Sequence, residues 1–223
     1  MRPFDLICFD VDGTLVVHPE GRIVWEILNT RFTGTDTANV ARFHDYRAGA
    51  ITYADWVALD VGDWLRAGAT RAQILEAIGE LELIGGARET LRELKRRGYK
   101  LAVVSGTIDI VLDTLFPDHP FDDVFVNHLH FDGDGRLAGW TATPSDVDGK
   151  ARALREIAER EGIPLDRCAY VGDAINDLDI AREAGFAIAL NSTCADLINV
   201  CAVSMCGNDL GILLPCFPDG WEG

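Results

Sequence analysis

The sequence predicts an α/β fold: a parallel sheet with helices on both faces, interrupted by an inserted helical unit. Three observations carry this. Short apolar runs recur at 4–9, 99–104, 124–126, 168–171 and 186–190, and the first breaks at once into Asp10-Val11-Asp12-Gly13-Thr14, as a buried strand does on reaching a loop. Helical patterns lie between the later runs, at Gly85 to Arg97 closed by Gly98, Ile108 to Phe116, Lys150 to Glu161 closed by Gly162, and Ile175 to Ala184 closed by Gly185. Strand and helix therefore alternate, which argues a parallel sheet between helical layers. Residues 17–84 break the alternation with helical periodicity alone.

Within that insertion Tyr53, Trp56, Val57, Val61 and Trp64 recur at helical spacing, and Thr70 with Gln73 has the form of a capping box before Ile74, Leu75 and Ile78. Such aromatics belong more often to a core than to a ligand site. Asp132 to Gly135, between Phe131 and Leu137, reads as a hairpin turn. It fails as a calcium loop because Leu137 stands where the sharp turn needs glycine.

A chain of 223 residues with 48% hydrophobic and 25% charged side chains can bury a good core. Twenty basic against 36 acidic side chains give a formal charge of −16, a field that repels nucleic acid and anionic membrane. A phosphorylated metabolite is also an anion, so binding one needs local positive charge, which a metal and a lysine would supply. At about 4 Å and an effective dielectric near 20, a unit pair is worth roughly 4 kcal/mol, enough to override the global field locally. The six cysteines show neither a CxxC pair nor zinc spacing, so reduced thiols are expected. No signal peptide or apolar span is visible, which points to the cytoplasm.

In an open parallel sheet, ligands bind beyond the carboxyl ends of the strands, so the residues after each apolar run are the informative ones. Here they are Asp10, Ser105, Asn127 and Asp173. Two carboxylates, a hydroxyl and an amide suit a hard metal and a phosphoryl group. Each motif alone has a plainer reading: Asp10-x-Asp12-Gly13 as an acidic turn, Ser105-Gly106 as a helix N-cap, Asp177 as a favourable first-turn charge. Lys150 is sharper, because it opens a helix whose dipole disfavours a cation there by about 0.3–1 kcal/mol. No GxSxG elbow, GxxxxGK[ST] loop or GxGxxG fingerprint competes, and the histidines, with His128 and His130 on a strand, read as structural.

Taken in order, Asp10-Val-Asp12-Gly-Thr14, Ser105-Gly106, Lys150 and Gly172-Asp173-Ala-Ile-Asn176-Asp177 resemble the four motifs of the haloacid dehalogenase-like hydrolase superfamily. Gly85-Gly86-Ala87, Arg97-Gly98-Tyr99 and Asp148-Gly149-Lys150 are similar to its phosphoserine-phosphatase-like branch. The resemblance implies a Rossmann-like core over 1–16 and 85–223 with a helical cap over 17–84. It implies Asp10 as nucleophile, Asp12 as acid and base, and magnesium held by Asp10, the Asp12 backbone carbonyl and Asp173. Ser105, Gly106 and Asn176 would bind phosphate, Lys150 would neutralise charge, and Asp177 would support the metal site from behind. In phosphoserine phosphatases an acidic residue shortly after the first motif and a cap arginine read the substrate's amino and carboxyl groups. By alignment the acid falls at Pro19, beside Glu20, and the arginine near Ala58. The departure, with Trp56 and Trp64 nearby, leads us to expect a different small phosphomonoester with an aromatic or less charged leaving group. Transfer between phosphosugar hydroxyls and non-catalytic binding of a phosphorylated ligand are the alternatives.

Overall fold

The structure is a computed structural model describing residues 2–144, 146 and 149–219; Asp148 of the Asp148-Gly149-Lys150 motif lies outside them. The first strand, β1 (Leu6–Phe9), is buried at every position because it lies at the centre of a seven-stranded sheet with both faces covered. Its neighbours are β4 (Lys100–Ile108) and β7 (Cys168–Gly172), both parallel to it, with Phe9 opposite Val103 and Val171. Beyond β4 lies β5 (Asp123–Phe131), and beyond β7 come β8 (Phe186–Leu190) and β9 (Val203–Met205), all parallel to their neighbours. One edge departs from the expected parallel pattern: β6 (Leu137–Thr141) runs antiparallel to β5, joined through the turn at 132–135.

Alternation along the central strands splits the core in two. Ile7, Phe9, Leu101, Val103, Ala169 and Val171 face one side, where α5 (Ala87–Arg96) and α6 (Asp109–Leu115) add Leu91, Leu94 and Val111. Leu6, Cys8, Ala102, Val104, Cys168 and Tyr170 face the other, against α7 (Lys150–Glu161), α8 (Leu178–Glu183) and α9 (Ala195–Val200). The helical pattern from Ile175 resolves into a 3₁₀ turn at Ile175–Asp177 followed by α8.

Two short strands, β2 (Val16–Val17) and β3 (Glu82–Leu83), pair antiparallel and bracket α1 (Val24–Thr33), α2 (Thr37–Arg47), α3 (Tyr53–Arg66) and α4 (Arg71–Ala77). The Thr70 hydroxyl accepts the Gln73 N–H at 3.3 Å, so the capping box forms as the sequence suggests. A second box, Thr52 with Asp55, starts α3. Val57, Val61 and Trp64 of α3 are buried, and Trp64 lies 5.3 Å from the Trp25 ring. Asn29 ties them, donating to Trp25 O at 2.9 Å and accepting from Trp64 Nε1 at 3.3 Å. All six cysteines are free, and no helix among the described residues is long and apolar enough to cross a membrane.

Candidate active site

The carboxyl ends of β1, β4 and β7 bring the motif residues to one edge of the sheet. Asp10 follows Phe9 directly and its backbone N–H continues the ladder to Val171 O at 2.9 Å, so its side chain is fixed by sheet geometry. Gly13 then takes φ +80, where a Cβ would overlap the Asp173 carboxylate, so glycine is required both by conformation and by space. Thr14 closes the turn, donating from Oγ1 to Asp173 Oδ1 at 3.0 Å.

In β4 the register with β5 shifts between Val104 and Ile108, so Ser105, Gly106 and Thr107 bulge from the ladder. Ser105 Oγ accepts Thr107 N–H at 3.1 Å, and the hydroxyl lies near enough to Asp10 to favour its charged form. Gly106 has no room for a Cβ, which would strike Asp146.

Lys150, at the start of α7, is fully buried with its ammonium 2.9 Å from Asp10 Oδ1 and 2.6 Å from Asp177 Oδ1. Burial works to lower its pKa, but Asp10 and Asp177 outweigh that and raise it above the usual range. Asp177 is saturated: Oδ1 receives Lys150 and the Tyr170 hydroxyl at 2.5 Å, and Oδ2 receives the N–H groups of Asp173 at 2.8 Å and Ala174 at 3.0 Å. Its carboxylate orients the lysine and the loop after β7.

Burial pushes Asp10 up to about 7, against the pull of Lys150, and Asp12 up to about 6. Burial, then the neighbouring Asp10, pushes Asp173 up to about 8. Asp10, Asp173 and Asp177 each offer a carboxylate oxygen within 4.8 Å of the others. With Asp177 already saturated by donors, Asp10 and Asp173 are the pair left for a cation. A buried and a partly buried carboxylate that resist ionising together are a donor set a hard divalent ion fits, since it would remove the repulsion.

Above these groups lies a cavity of about 290 Å³, walled by Asp10, Asp12, Ser105, Gly106, Asp173 and Asn176 on the core side. The helical side contributes Trp25, Val40, Phe43, Tyr53 and Trp56, with Asn39 and Glu26. Asn176 reaches Asp146 Oδ1 at 3.3 Å, and Asp146 also lines the cavity. Trp56 is thus brought to the site, whereas Trp64 is core. Glu20 is not brought there. The turn from His18 to Gly21, closed by Gly21 N–H to His18 O at 2.9 Å, carries it outward to a side chain 73% exposed and 3.4 Å from Arg22. Glu26, in the first turn of α1, lines the cavity instead. Among the described cavity residues there is no lysine or arginine. The arginine nearest in role, Arg42 of α2, is held by Asp60 and Asp63, with Asp60 fully buried.

Sequence reasoning missed Tyr170, Asp146 and Trp25. Tyr170 is two residues before Gly172 on a buried strand, the one signal that its hydroxyl needed a buried partner. Trp25 donates from Nε1 to Gly106 O at 2.9 Å, a contact no local pattern encodes. His128 and His130 lie outside the cavity, bonded to Asp109 Oδ2 at 3.0 Å and Thr141 Oγ1 at 2.8 Å.

The family model for haloacid dehalogenase-like hydrolases matches residues 4–185. The phosphoserine phosphatase SerB2 of Mycobacterium tuberculosis is 36% identical over 84% of this chain and 44% of its own length. That of Archaeoglobus fulgidus is 36% identical over 84% of this chain and 52% of its own. The chain therefore spans about half the length of these curated relatives. A solved structure of a substrate-bound phosphoserine phosphatase complex aligns with TM-score 0.76 and 26% identity, covering 98% of this chain and 100% of that one.

Proposed function

The chain belongs to the haloacid dehalogenase-like hydrolases, and from that premise we propose that it hydrolyses a small phosphomonoester through an aspartyl-phosphate on Asp10, with 17–84 as a cap over the site. The observation that carries this is the buried Asp10–Lys150–Asp177 line beside the Ser105–Gly106 bulge. A nucleophilic carboxylate is held there beside the Ser105 hydroxyl.

An Asp10 oxygen forms a bond to phosphorus while the bond to the alcohol oxygen breaks. Asp12 gives its proton to the departing alkoxide, then takes one from the water that cleaves the acyl phosphate and frees Asp10. Both steps need a group that changes protonation near neutrality, and burial lifts Asp12 to about 6. The backbone of Val24, at the head of α1, lies near enough to its carboxylate to favour the charged form. Ser105 and Gly106 hold the transferring oxygens, Asn176 stands at the rim, and Lys150 offsets the charge gathered on Asp10 and the phosphoryl group. Magnesium held by Asp10, Asp173 and the Asp12 carbonyl would supply Lewis-acid stabilisation of the phosphoryl oxygens.

The relatives are named for phosphoserine, but the cavity supports a leaving group without a carboxylate. A carboxylate buried without its cation costs several kcal/mol, on the order of 3–5 when one partner of a pair is missing. No described cavity residue supplies that cation, and Trp56, Phe43 and Val40 offer apolar surface. We assign the alcohol as an aromatic or apolar one, read by Trp56.

The test is phosphate release by wild type and Asp10→Asn, with magnesium and with EDTA, over a panel of phosphomonoesters that includes phosphoserine. Release that needs both magnesium and Asp10, fastest on an aryl or apolar ester, is the expected result. Release from no member would sink the hydrolase reading, and phosphoserine as the best substrate would sink the leaving-group assignment.

A further inference from the structure

We propose that Asn127 and Tyr53 are positioning residues that lock the phosphate-binding bulge when cap helix α3 is seated. The inference rests on the hydrolase reading for its catalytic consequence and on geometry alone for the lock itself. Asn127, on β5, is 2% exposed and its side-chain amide is fully engaged. Its Nδ2 donates to Gly106 O at 2.7 Å and to the Tyr53 hydroxyl at 2.8 Å, with Thr107 O at 3.2 Å sharing a hydrogen, and its Oδ1 accepts Thr143 N–H at 2.9 Å.

The Gly106 carbonyl is held from two directions, by Trp25 of α1 and by Asn127 of β5, so one cap helix reaches this core peptide directly and α3 reaches it through Asn127. In a trans peptide the N–H points opposite to the C=O. Fixing Gly106 C=O toward Trp25 and Asn127 therefore sets the direction of Thr107 N–H, which is found 3.1 Å from Ser105 Oγ. Tyr53 extends the chain: its hydroxyl accepts from Asn127 and lies close enough to the Asp146 carboxylate to feel its charge, and Asp146 Oδ1 accepts from Asn176. The Ser105–Gly106 segment of β4 and the 3₁₀ turn that carries Asn176 thus both lead to the surroundings of a single cap hydroxyl. With α3 lifted, Asn127 loses that acceptor and the bulge loses the restraint that aims its donors.

Tyr53→Phe removes only the hydroxyl and keeps the ring against Tyr46 and Trp56. With p-nitrophenyl phosphate as probe, it is expected to lower kcat about tenfold, the scale of one buried hydrogen bond, with KM changed less than about threefold. Asn127→Ala should lower kcat at least as far, and adding Tyr53→Phe to it should do nothing more. Amide hydrogen exchange at Thr107 should quicken in both single variants. A Tyr53→Phe enzyme within twofold of wild type in kcat, losses that multiply in the double variant, or unchanged Thr107 exchange would overturn the lock. Should wild type release no phosphate, the hydrolase reading fails, and the exchange measurement alone decides the lock.

Discussion

Lys150 Nζ stands 2.6 Å from Asp177 Oδ1, both side chains fully out of water. A buried lysine is tolerable only while its carboxylate partners remain, because removing one member leaves the rest desolvated and unpaired. The pair therefore binds the start of α7 to the loop after β7 as well as presenting an ammonium to Asp10.

Replacing Lys150 with Met should accordingly cost stability as well as activity. We expect about 3–5 kcal/mol lost in urea unfolding, with the m-value unchanged, since Asp177 and Asp10 would share a buried site without their cation. Phosphate release should fall to background. Unaltered stability would show that the two carboxylates reach other partners.

Asp173 gives a pH dependence with a definite sign. Its folded-state pKa is raised to about 8 by burial and by Asp10. Folding in the absence of metal therefore binds a proton that the unfolded chain, titrating near 4, has already released, and stability is lost as pH rises from about 4 to about 8. In EDTA, Asp173→Asn should be increasingly more stable than wild type across that window. Magnesium should shrink or reverse the difference at pH 8, read as thermal midpoints. A difference that does not grow with pH would contradict the raised pKa.

Gly13→Ala places a side chain at φ +80 and against the Asp173 carboxylate. The backbone strain alone is worth about 1–3 kcal/mol, and displacement of Asp173 should weaken magnesium binding. Isothermal titration with magnesium should show at least a tenfold loss of affinity, with urea unfolding reporting the strain separately.

In the cap, Arg42 neutralises Asp60, which is fully buried and also accepts Asn39 Nδ2 at 2.6 Å. Arg42→Met should destabilise the protein by about 3–5 kcal/mol. In an Asp60→Asn, Asp63→Asn background the same change should cost much less. Because Arg42 serves this network, releasing it by those two substitutions should not create phosphoserine specificity; faster serine release in that double variant would show the guanidinium reaching the cavity.

The sequence by itself determined which residues meet at the sheet edge. Asp10, Ser105 and Asp173 each follow an apolar run, and parallel strands sharing a direction must place their carboxyl ends together, so order along the chain was enough. The insertion, the hairpin at 132–135 and the Thr70 cap were legible for the same reason: periods of 2 and 3.6 and turn chemistry are local. Tertiary structure alone decided the partners. Lys150 meets Asp10 across 140 residues and Trp25 meets Gly106 across 81, and no local period records such pairings. It also decided that Asp177 spends its oxygens on four donors, that Trp56 lines the cavity while Trp64 is core, and that Glu26 lines the cavity while Glu20 faces outward. Those outcomes depend on which face of a helix meets the sheet and how a four-residue turn directs a side chain, and both are set by packing between segments distant in the chain.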